Sequence, residues 1–139
     1  MIIREFKESD RQAVKDLWAE FGLIRAWNDP DRDIDRKVAF QPKLFHVASI
    51  DRRIIASAMI GYDGHRGSVF YFAIAKDYQR AGHGKAFMEH IEHVLVGLGC
   101  PKVNILVRSN NDKVLEFYNR LGYQPDSVQS LGKRLISDE

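Results

Sequence analysis

The segment Gln79-Arg80-Ala81-Gly82-His83-Gly84-Lys85 decides the fold, because it separates an apolar run from an amphipathic one. The preceding run, residues 68–75, is almost continuously apolar and is typical of a central β-strand. From residue 82 to residue 98, apolar side chains recur at three- and four-residue steps, which predicts a helix. A strand, a glycine-containing turn and a helix in this order indicate a fold of mixed α/β character.

The same patterns continue through the rest of the chain. Apolar or alternating runs predict further strands at residues 2–6, 44–50, 54–62 and 103–107. Helical spacing predicts a first helix after Ser9, where Ser9 and Gln12 form a capping box. A short helix is predicted over about 33–40 with Asp33 as its cap, and a last helix is predicted through 114–121. The tail at residues 131–136 is expected to add one or two edge strands. We therefore expect one domain, residues 1–139, with a mixed sheet and helices on its faces.

Composition and charge exclude several classes of protein. Lys plus Arg number 21 and Asp plus Glu 19, so the net charge of +2 gives no reason to expect a nucleic-acid partner. The first residues contain no long apolar stretch, so neither a signal peptide nor a membrane anchor is expected. The lone cysteine, Cys100, cannot form an internal disulfide; it is expected to be a small buried residue of a cytoplasmic protein.

The turn at residues 79–85 has the features of a phosphate site. The first turn of a helix carries backbone N–H groups without internal acceptors, and their dipoles favour an anion. Glycines at Gly82 and Gly84 would let a pyrophosphate approach the backbone, and Arg80 and Lys85 would add positive charge. The alternative is an ordinary strand-to-helix turn whose glycines serve packing.

Two common nucleotide motifs do not fit this turn. A Walker A sequence needs a glycine five residues before the Gly84-Lys85 pair and Ser or Thr after it, but Gln79 and Ala86 stand there. A dinucleotide fingerprint needs a third glycine where this chain has Phe87.

A second group of residues lies on the last predicted helix. Asn111 and Tyr118 are seven residues apart, so their side chains differ by only about 20° in azimuth and stand about 10 Å apart along the helix axis. The helix can therefore present two polar groups to one extended ligand. The alternatives are a helix cap for Asn111 and a core aromatic for Tyr118. The pair Gly122-Tyr123 follows.

These motifs resemble those of the GNAT superfamily of acyl-CoA N-acyltransferases. Gln79, Gly82 and Gly84 match its Q/R-x-x-G-x-G/A signature, and the later asparagine, tyrosine and glycine-aromatic pair match its second motif. The resemblance covers nearly the whole chain. Stretches such as Trp27-Asn28-Asp29-Pro30 and residues 61–68 are similar to the small bacterial YpeA-type acetyltransferases. The resemblance to the GNAT superfamily implies a mainly antiparallel central sheet of six to seven strands flanked by about four helices.

The resemblance also implies a binding site for acetyl-CoA as co-substrate, without a metal. The residues implied to hold the coenzyme are Phe72, Ala73, Ile74, Arg80, Ala81, Gly82, His83, Gly84, Lys85 and Asn111. Within this set the turn would bind the pyrophosphate, Asn111 the pantetheine arm, and a backbone N–H near Ala73-Ile74 the developing oxyanion. Tyr118 would be the catalytic acid beside the thioester sulfur.

The implied reaction is direct transfer of the acetyl group to a primary amine, on a small molecule or on a peptide or protein. Leu106 stands where some relatives carry a glutamate base. That leaves open a non-catalytic regulatory protein that binds acetyl-CoA or CoA. A homodimer is also left open.

Five residues are candidates for the acceptor side of the site: Trp27, Asp29, Asp63, His65 and Tyr71. Carboxylates there would attract a cationic amine. An attacking amine must lose a proton, because its pKa of about 10.4 keeps it charged at neutral pH. Asp29, Asp63, His65 and Tyr71 are the candidate bases, and ordered water relaying to solvent is the alternative.

Overall fold

A computed structural model describes residues 1–139 and places a five-stranded sheet at the centre of the molecule, in the order β1-β2-β3-β4-β5. The strands are β1 (Ile2–Glu5), β2 (Phe45–Ile50), β3 (Arg53–Tyr62), β4 (Gly67–Ile74) and β5 (Val103–Asn104). The helices are α1 (Arg11–Phe21), α2 (Pro30–Phe40), α3 (His83–Gly97) and α4 (Asp112–Arg120). Neighbouring strands are antiparallel except β4 and β5, which are parallel. No helix is long and apolar enough to cross a membrane.

The predicted class and helix number are confirmed, but the strand number of six to seven is wrong. The tail at residues 131–136 forms no strand, and Leu131 and Leu135 remain 90% and 86% exposed. A strand requires a neighbouring strand to accept and donate its hydrogen bonds, and the tail has none. It is held instead by ion pairs of Asp138 with Arg32 and Arg36 of α2.

Two predicted helix starts are also wrong. Helix α2 begins at Pro30 rather than at residue 33, and its cap is Asp29, whose carboxylate accepts a hydrogen bond from the Arg32 N–H at 3.2 Å. Proline at the first helical position suits this start, since that N–H would have no acceptor. Helix α1 follows Asp10 rather than Ser9. The Asp10 carboxylate accepts hydrogen bonds from Arg4, and that pairing lowers its pKa.

The core lies on both faces of the sheet. Helices α1 and α2 contact Tyr71 of β4 through Trp18 and Asp33, with the Trp18 and Tyr71 ring centroids 3.8 Å apart. Helices α3 and α4 contact the next residue, Phe72, through Phe87 and Phe117. Ser57 of β3 faces Trp18 of α1, whereas Gly67, which pairs with Tyr62 of β3, faces Leu95 of α3. Because Ser57 and Tyr62 are an odd number of residues apart, they point to opposite faces, and the two helix pairs cover opposite faces. Cys100 is 8% exposed, which confirms its predicted burial.

A buried pair of hydrogen bonds ties α1 to the centre of the sheet. The Trp18 indole N–H donates to the Ser57 hydroxyl at 2.8 Å, and that hydroxyl donates to the Tyr71 carbonyl at 2.9 Å. Trp18 and Ser57 are both fully buried. Removing the hydroxyl would therefore leave a buried donor and a backbone acceptor without partners.

We expect Ser57→Ala to lower the free energy of unfolding by about 1–3 kcal/mol, because the buried indole N–H loses its acceptor. Urea denaturation followed by circular dichroism measures the change. Ser49→Ala is the matched control, since the Ser49 hydroxyl makes no hydrogen bond in β2, and its effect should stay within about 0.5 kcal/mol. Equal stabilities of the two variants would contradict the role assigned to Ser57.

Candidate active site

The edge of β4 that faces β5 is largely unpaired. Strand β5 pairs with β4 only through Gly67 with Val103 and Ser68 with Asn104, whereas β4 continues to Ile74. Residues 105–110 form no strand, although a strand was predicted through residue 107. Beyond Ser68, backbone groups along this edge of β4 therefore have no strand partner, and an extended ligand could lie beside them.

The amide of Ile74 points to this unpaired edge. Ala75 donates its N–H to the Ile55 carbonyl of β3 at 2.7 Å, and successive residues of a strand direct their backbone groups to alternate edges. The Ile74 carbonyl agrees with that direction, because it accepts the side-chain amide of Gln79 at 2.9 Å. The Ile74 N–H is thus a fixed donor of the kind that stabilises negative charge on an acyl oxygen.

A bulge interrupts β4 in the middle of the sheet. Ser57 pairs with Ala73 and Met59 with Phe70, so Tyr71 and Phe72 together lie opposite one residue of β3. Tyr71 has a φ of 51°, a left-handed conformation that is rare for a side chain of its size. A bulge of this type bends a strand and redirects its side chains. Tyr71 and Phe72 then reach the helices on opposite faces, as described above.

The turn at residues 79–85 leaves backbone donors unsatisfied. Gly82, with a φ of 84°, precedes α3, and no side chain caps the helix there. The first intrahelical bond runs from Ala86 N to Gly82 O at 3.0 Å, so the N–H groups of His83, Gly84 and Lys85 have no acceptor. Arg80 forms no ion pair, and the exposed Lys85 lies 4.0 Å from Glu89. The local charge is positive, which favours an anion.

The two glycines of this turn have different surroundings. A β-carbon on Gly82 would meet nothing within 4 Å, so the space in front of the amides is open. A β-carbon on Gly84 would lie 3.0 Å from the Phe117 ring, so Gly84 allows α4 to pack against α3. Gly84 therefore fits the packing alternative, whereas Gly82 leaves room beside the helix start.

Tyr118 is buried in an aromatic cluster on the same face as α3. It is 7% exposed, and its ring lies 6.2 Å from that of Phe72, 5.0 Å from that of Phe117 and 5.6 Å from that of Tyr123. Its hydroxyl makes no hydrogen bond, and it remains partly accessible to solvent. Burial raises the pKa of this phenol, so it keeps its proton at neutral pH and is available as a donor. The hydroxyl of Tyr123, by contrast, donates to Glu92 at 2.6 Å.

Asn111 stands at the start of the helix that carries Tyr118. Its side-chain oxygen accepts a hydrogen bond from the Val114 N–H at 3.3 Å, so it caps α4. The capping alternative is thus correct for this oxygen. The side-chain amide donors stay available to a ligand, because no hydrogen bond uses them.

Two of the five acceptor-side candidates, Asp29 and Asp63, have local structural partners. Asp29 caps α2, as described above. Asp63 accepts hydrogen bonds from the N–H groups of His65 and Arg66, at 2.8 and 2.7 Å, and these bonds lower its pKa. The turn that carries Asp63 and His65 precedes β4, whereas the turn at 79–85 follows it. The length of the strand, roughly 23 Å at 3.3 Å per residue, separates the two turns, so they do not meet.

Tyr71 lies in a network that includes the tail. Its hydroxyl donates to Asp33 at 2.6 Å, and both burial and that carboxylate raise the pKa of the phenol. Asp33 is also 3.3 Å from Arg36, which pairs with Asp138 at 2.7 Å. The Asp138 side chain is 1% exposed, and pairing with Arg36 and Arg32 lowers its pKa to about 2. No local pattern predicts this contact, because 102 positions separate Arg36 from Asp138.

Trp27 and Asn111 line one cavity of about 360 Å³, together with Arg25, Arg108 and Asn110. The Arg108 guanidinium lies 5.6 Å from the centre of the Trp27 ring. The structure thus joins one residue predicted for the acceptor with one predicted for the coenzyme. Sequence reasoning missed Arg25, Arg108 and Asn110, since no periodic pattern links two loops so distant in the chain. No group of three or more His, Cys, Asp and Glu side chains could hold a metal ion.

Comparisons with known proteins identify the family and the fold. Residues 11–123 match the model of the acetyltransferase (GNAT) family. An acetyltransferase of Yersinia enterocolitica is 45% identical over 139 residues, which cover 100% of this chain and 99% of the relative. The ribosomal-protein-S18-alanine N-acetyltransferase of Escherichia coli has a similar fold, with a TM-score of 0.75 at 20% identity, over 91% of this chain and 79% of that one.

A second solved structure, Ard1 from Thermoplasma volcanium, superposes with a TM-score of 0.76 at 19% identity, over 91% of this chain and 84% of that one. These two structural similarities show the fold alone. The family match covers most of the chain, and the Yersinia relative covers all of it. This chain therefore belongs to the GNAT family of acetyltransferases, enzymes that take the acetyl group from acetyl-CoA.

Proposed function

We propose that the chain, as one domain of residues 1–139, moves the acetyl group of acetyl-CoA directly to a primary amine on a small molecule, peptide or protein. The observation that carries this proposal is the unpartnered hydroxyl of Tyr118 inside an otherwise buried aromatic cluster. The cluster includes Phe72, which lies on the bulged and unpaired part of β4. The ring is buried, whereas the hydroxyl stays accessible and has no partner, so it can donate a hydrogen bond to a ligand at this point.

The coenzyme is proposed to lie across three features of this one face. The free amides of His83, Gly84 and Lys85 bind its pyrophosphate, and Arg80 adds positive charge. The extended arm runs beside the unpaired edge of β4 at Phe72, Ala73 and Ile74, and Asn111 donates to it. The acetyl end then lies near Tyr118. This path supplies both a hydrogen-bonding edge and an acid at the reacting centre.

Two groups of the chain would assist the transfer itself. The Ile74 N–H donates to the acyl oxygen as negative charge develops there, a contribution of about 3 kcal/mol for one preorganised donor. Tyr118 gives its proton to the departing sulfur. Its raised pKa keeps the phenol protonated until that moment.

The proton of the attacking amine is proposed to leave through ordered water. Asp29 and Asp63 are occupied by local hydrogen bonds, and His65 lies at the far end of β4. Tyr71 donates to Asp33, and its raised pKa makes its phenol a poor base. Ordered water beside the unpaired part of β4 would then relay the proton to solvent.

A second copy of the chain is the other proposed partner. The tail presents four exposed apolar side chains and has no strand partner of its own; they are Val128, Leu131, Leu135 and Ile136. Pairing with a second tail would bury these side chains. Sedimentation velocity should then show a dimer that Leu131→Lys dissociates, and a monomer at every concentration would refute this part.

The cytoplasmic location stays a prediction from the single cysteine.

We expect Tyr118→Phe to lower kcat by about 100-fold or more, because general-acid assistance is lost. The KM for acetyl-CoA should stay within about twofold, since the ring still fills the cluster. Steady-state kinetics with thiol detection measures both constants. Tyr123→Phe is the matched control, because it removes a neighbouring hydroxyl that Glu92 already binds. An unchanged kcat in Tyr118→Phe would remove Tyr118 from the acid role.

We expect Gly82→Asn to weaken acetyl-CoA binding by about tenfold or more, because a side chain would fill the space in front of the free amides. Asparagine tolerates the left-handed conformation of this position, so the turn itself is preserved. Gly99→Asn is the matched control, since Gly99 also has a positive φ, of 85°, and open surroundings, but follows α3. Calorimetry that finds equal affinities for both variants would contradict the pyrophosphate site.

A further inference from the structure

We propose that the cavity between the α1–α2 and β5–α4 loops binds a carboxylate of the acceptor, so that the favoured acceptors are amines that carry a carboxylate, such as amino acids. This inference rests on the proposed function and deepens it. The cavity is lined by Arg25, Trp27, Arg108, Asn110 and Asn111. None of these residues is acidic, and two are cationic.

The two arginines of the cavity differ from the other arginines near it. Arg11 of α1 pairs with three carboxylates, and Arg32 and Arg36 of α2 pair with Asp138. Arg25 and Arg108 take part in none of the ion pairs or side-chain hydrogen bonds of the molecule. An unpaired guanidinium presents several N–H donors and no acceptor, and its planar fork matches the two oxygens of a carboxylate.

Contact with Trp27 gives Arg108 a defined position. The guanidinium lies over the indole ring at 5.6 Å, within the range of a cation–π contact. Stacking of this kind uses the face of the guanidinium and leaves its N–H edges free for an anion. The indole is 43% exposed, so it also offers an apolar surface to the rest of the acceptor. Two cations, the Asn110 amide and an exposed ring together select an anion with an organic body.

Unpaired carboxylates that could attract a cationic amine, as predicted from the sequence, are not found around the α1–α2 loop. Asp29 and Asp63 bind backbone amides of their own segments, and Asp33 binds Tyr71 and Arg36. Because these carboxylates already have partners, the charge left unpaired around the α1–α2 loop is positive. It therefore favours an acceptor through its anionic group.

The position of the cavity links the carboxylate to the reacting end. Asn111, at one side of the cavity, begins α4, and Tyr118 stands about 10 Å further along the axis of that helix. A molecule held by its carboxylate at Arg25 and Arg108 can extend its amine in that direction. The coenzyme is also anionic, so the same arginines could serve it instead, and the experiment must separate these two sources of negative charge.

The test compares carboxylated amines with their own amides. Straight-chain amino acids from glycine to 6-aminohexanoate, together with L-phenylalanine, are each assayed beside the corresponding carboxamide. We expect kcat/KM to favour the acid over the amide by about tenfold or more in at least one pair, since a charge-assisted bond to arginine is lost in the amide. In the Arg25→Gln/Arg108→Gln double variant this ratio should fall to about one. Arg52→Gln, which removes an unpaired arginine from the β2–β3 turn, should leave it unchanged.

Each other outcome overturns the inference. Ratios at or below one in the native protein for every pair would mean that the cavity does not select a carboxylate. An unchanged ratio in the double variant, with a raised KM for acetyl-CoA, would assign the arginines to the coenzyme. If no amine is acetylated, the proposed function fails, and fluorescence then decides the inference separately. Trp27 should report saturable binding of N-acetyl-6-aminohexanoate that Trp27→Phe abolishes. Absence of saturation up to about 10 mM ligand would refute the subsite.

Discussion

The bulge in β4 is the constraint on which the rest of the site depends. Tyr71 and Phe72 occupy the space opposite a single residue of β3, and Tyr71 adopts a positive φ to do so. The Ser57 hydroxyl of β3 donates to the Tyr71 carbonyl and in turn accepts a hydrogen bond from the Trp18 indole of α1. Buried hydrogen bonds of this kind offset the strain of a conformation that a free chain would avoid.

Everything on the α3 side follows from the direction that the bulge gives to Phe72. Its ring contacts Phe87, Phe117 and Tyr118, and so joins α3 and α4 at the point where β4 loses its neighbour. Gly84 permits the two helices to approach closely. A phenol, a free backbone edge and a row of free amides thus share one face. That combination suits a long anionic molecule with a reactive end.

The charges on the other face are arranged differently from what the residue types suggested. Carboxylates near α2 cap a helix or pair with arginines and with Tyr71, and the tail adds Asp138 to that network. Arg25 and Arg108, in contrast, take part in none of these ion pairs. A count of acidic and basic residues could not reveal this, because pairing depends on which side chains the fold brings together.

Local sequence patterns predicted the element order through α4, the family and the positions of the free-amide turn and of Tyr118. Such patterns are sufficient there, since glycine at the start of α3 and a seven-residue step on α4 act within one or two turns of a helix. The strand number, the ion pairs of Asp138 with Arg32 and Arg36, and the cavity at Arg25 and Arg108 depend on tertiary contacts. The last two features join residues about 80 to 100 positions apart, and contacts of that range leave no period in a single sequence.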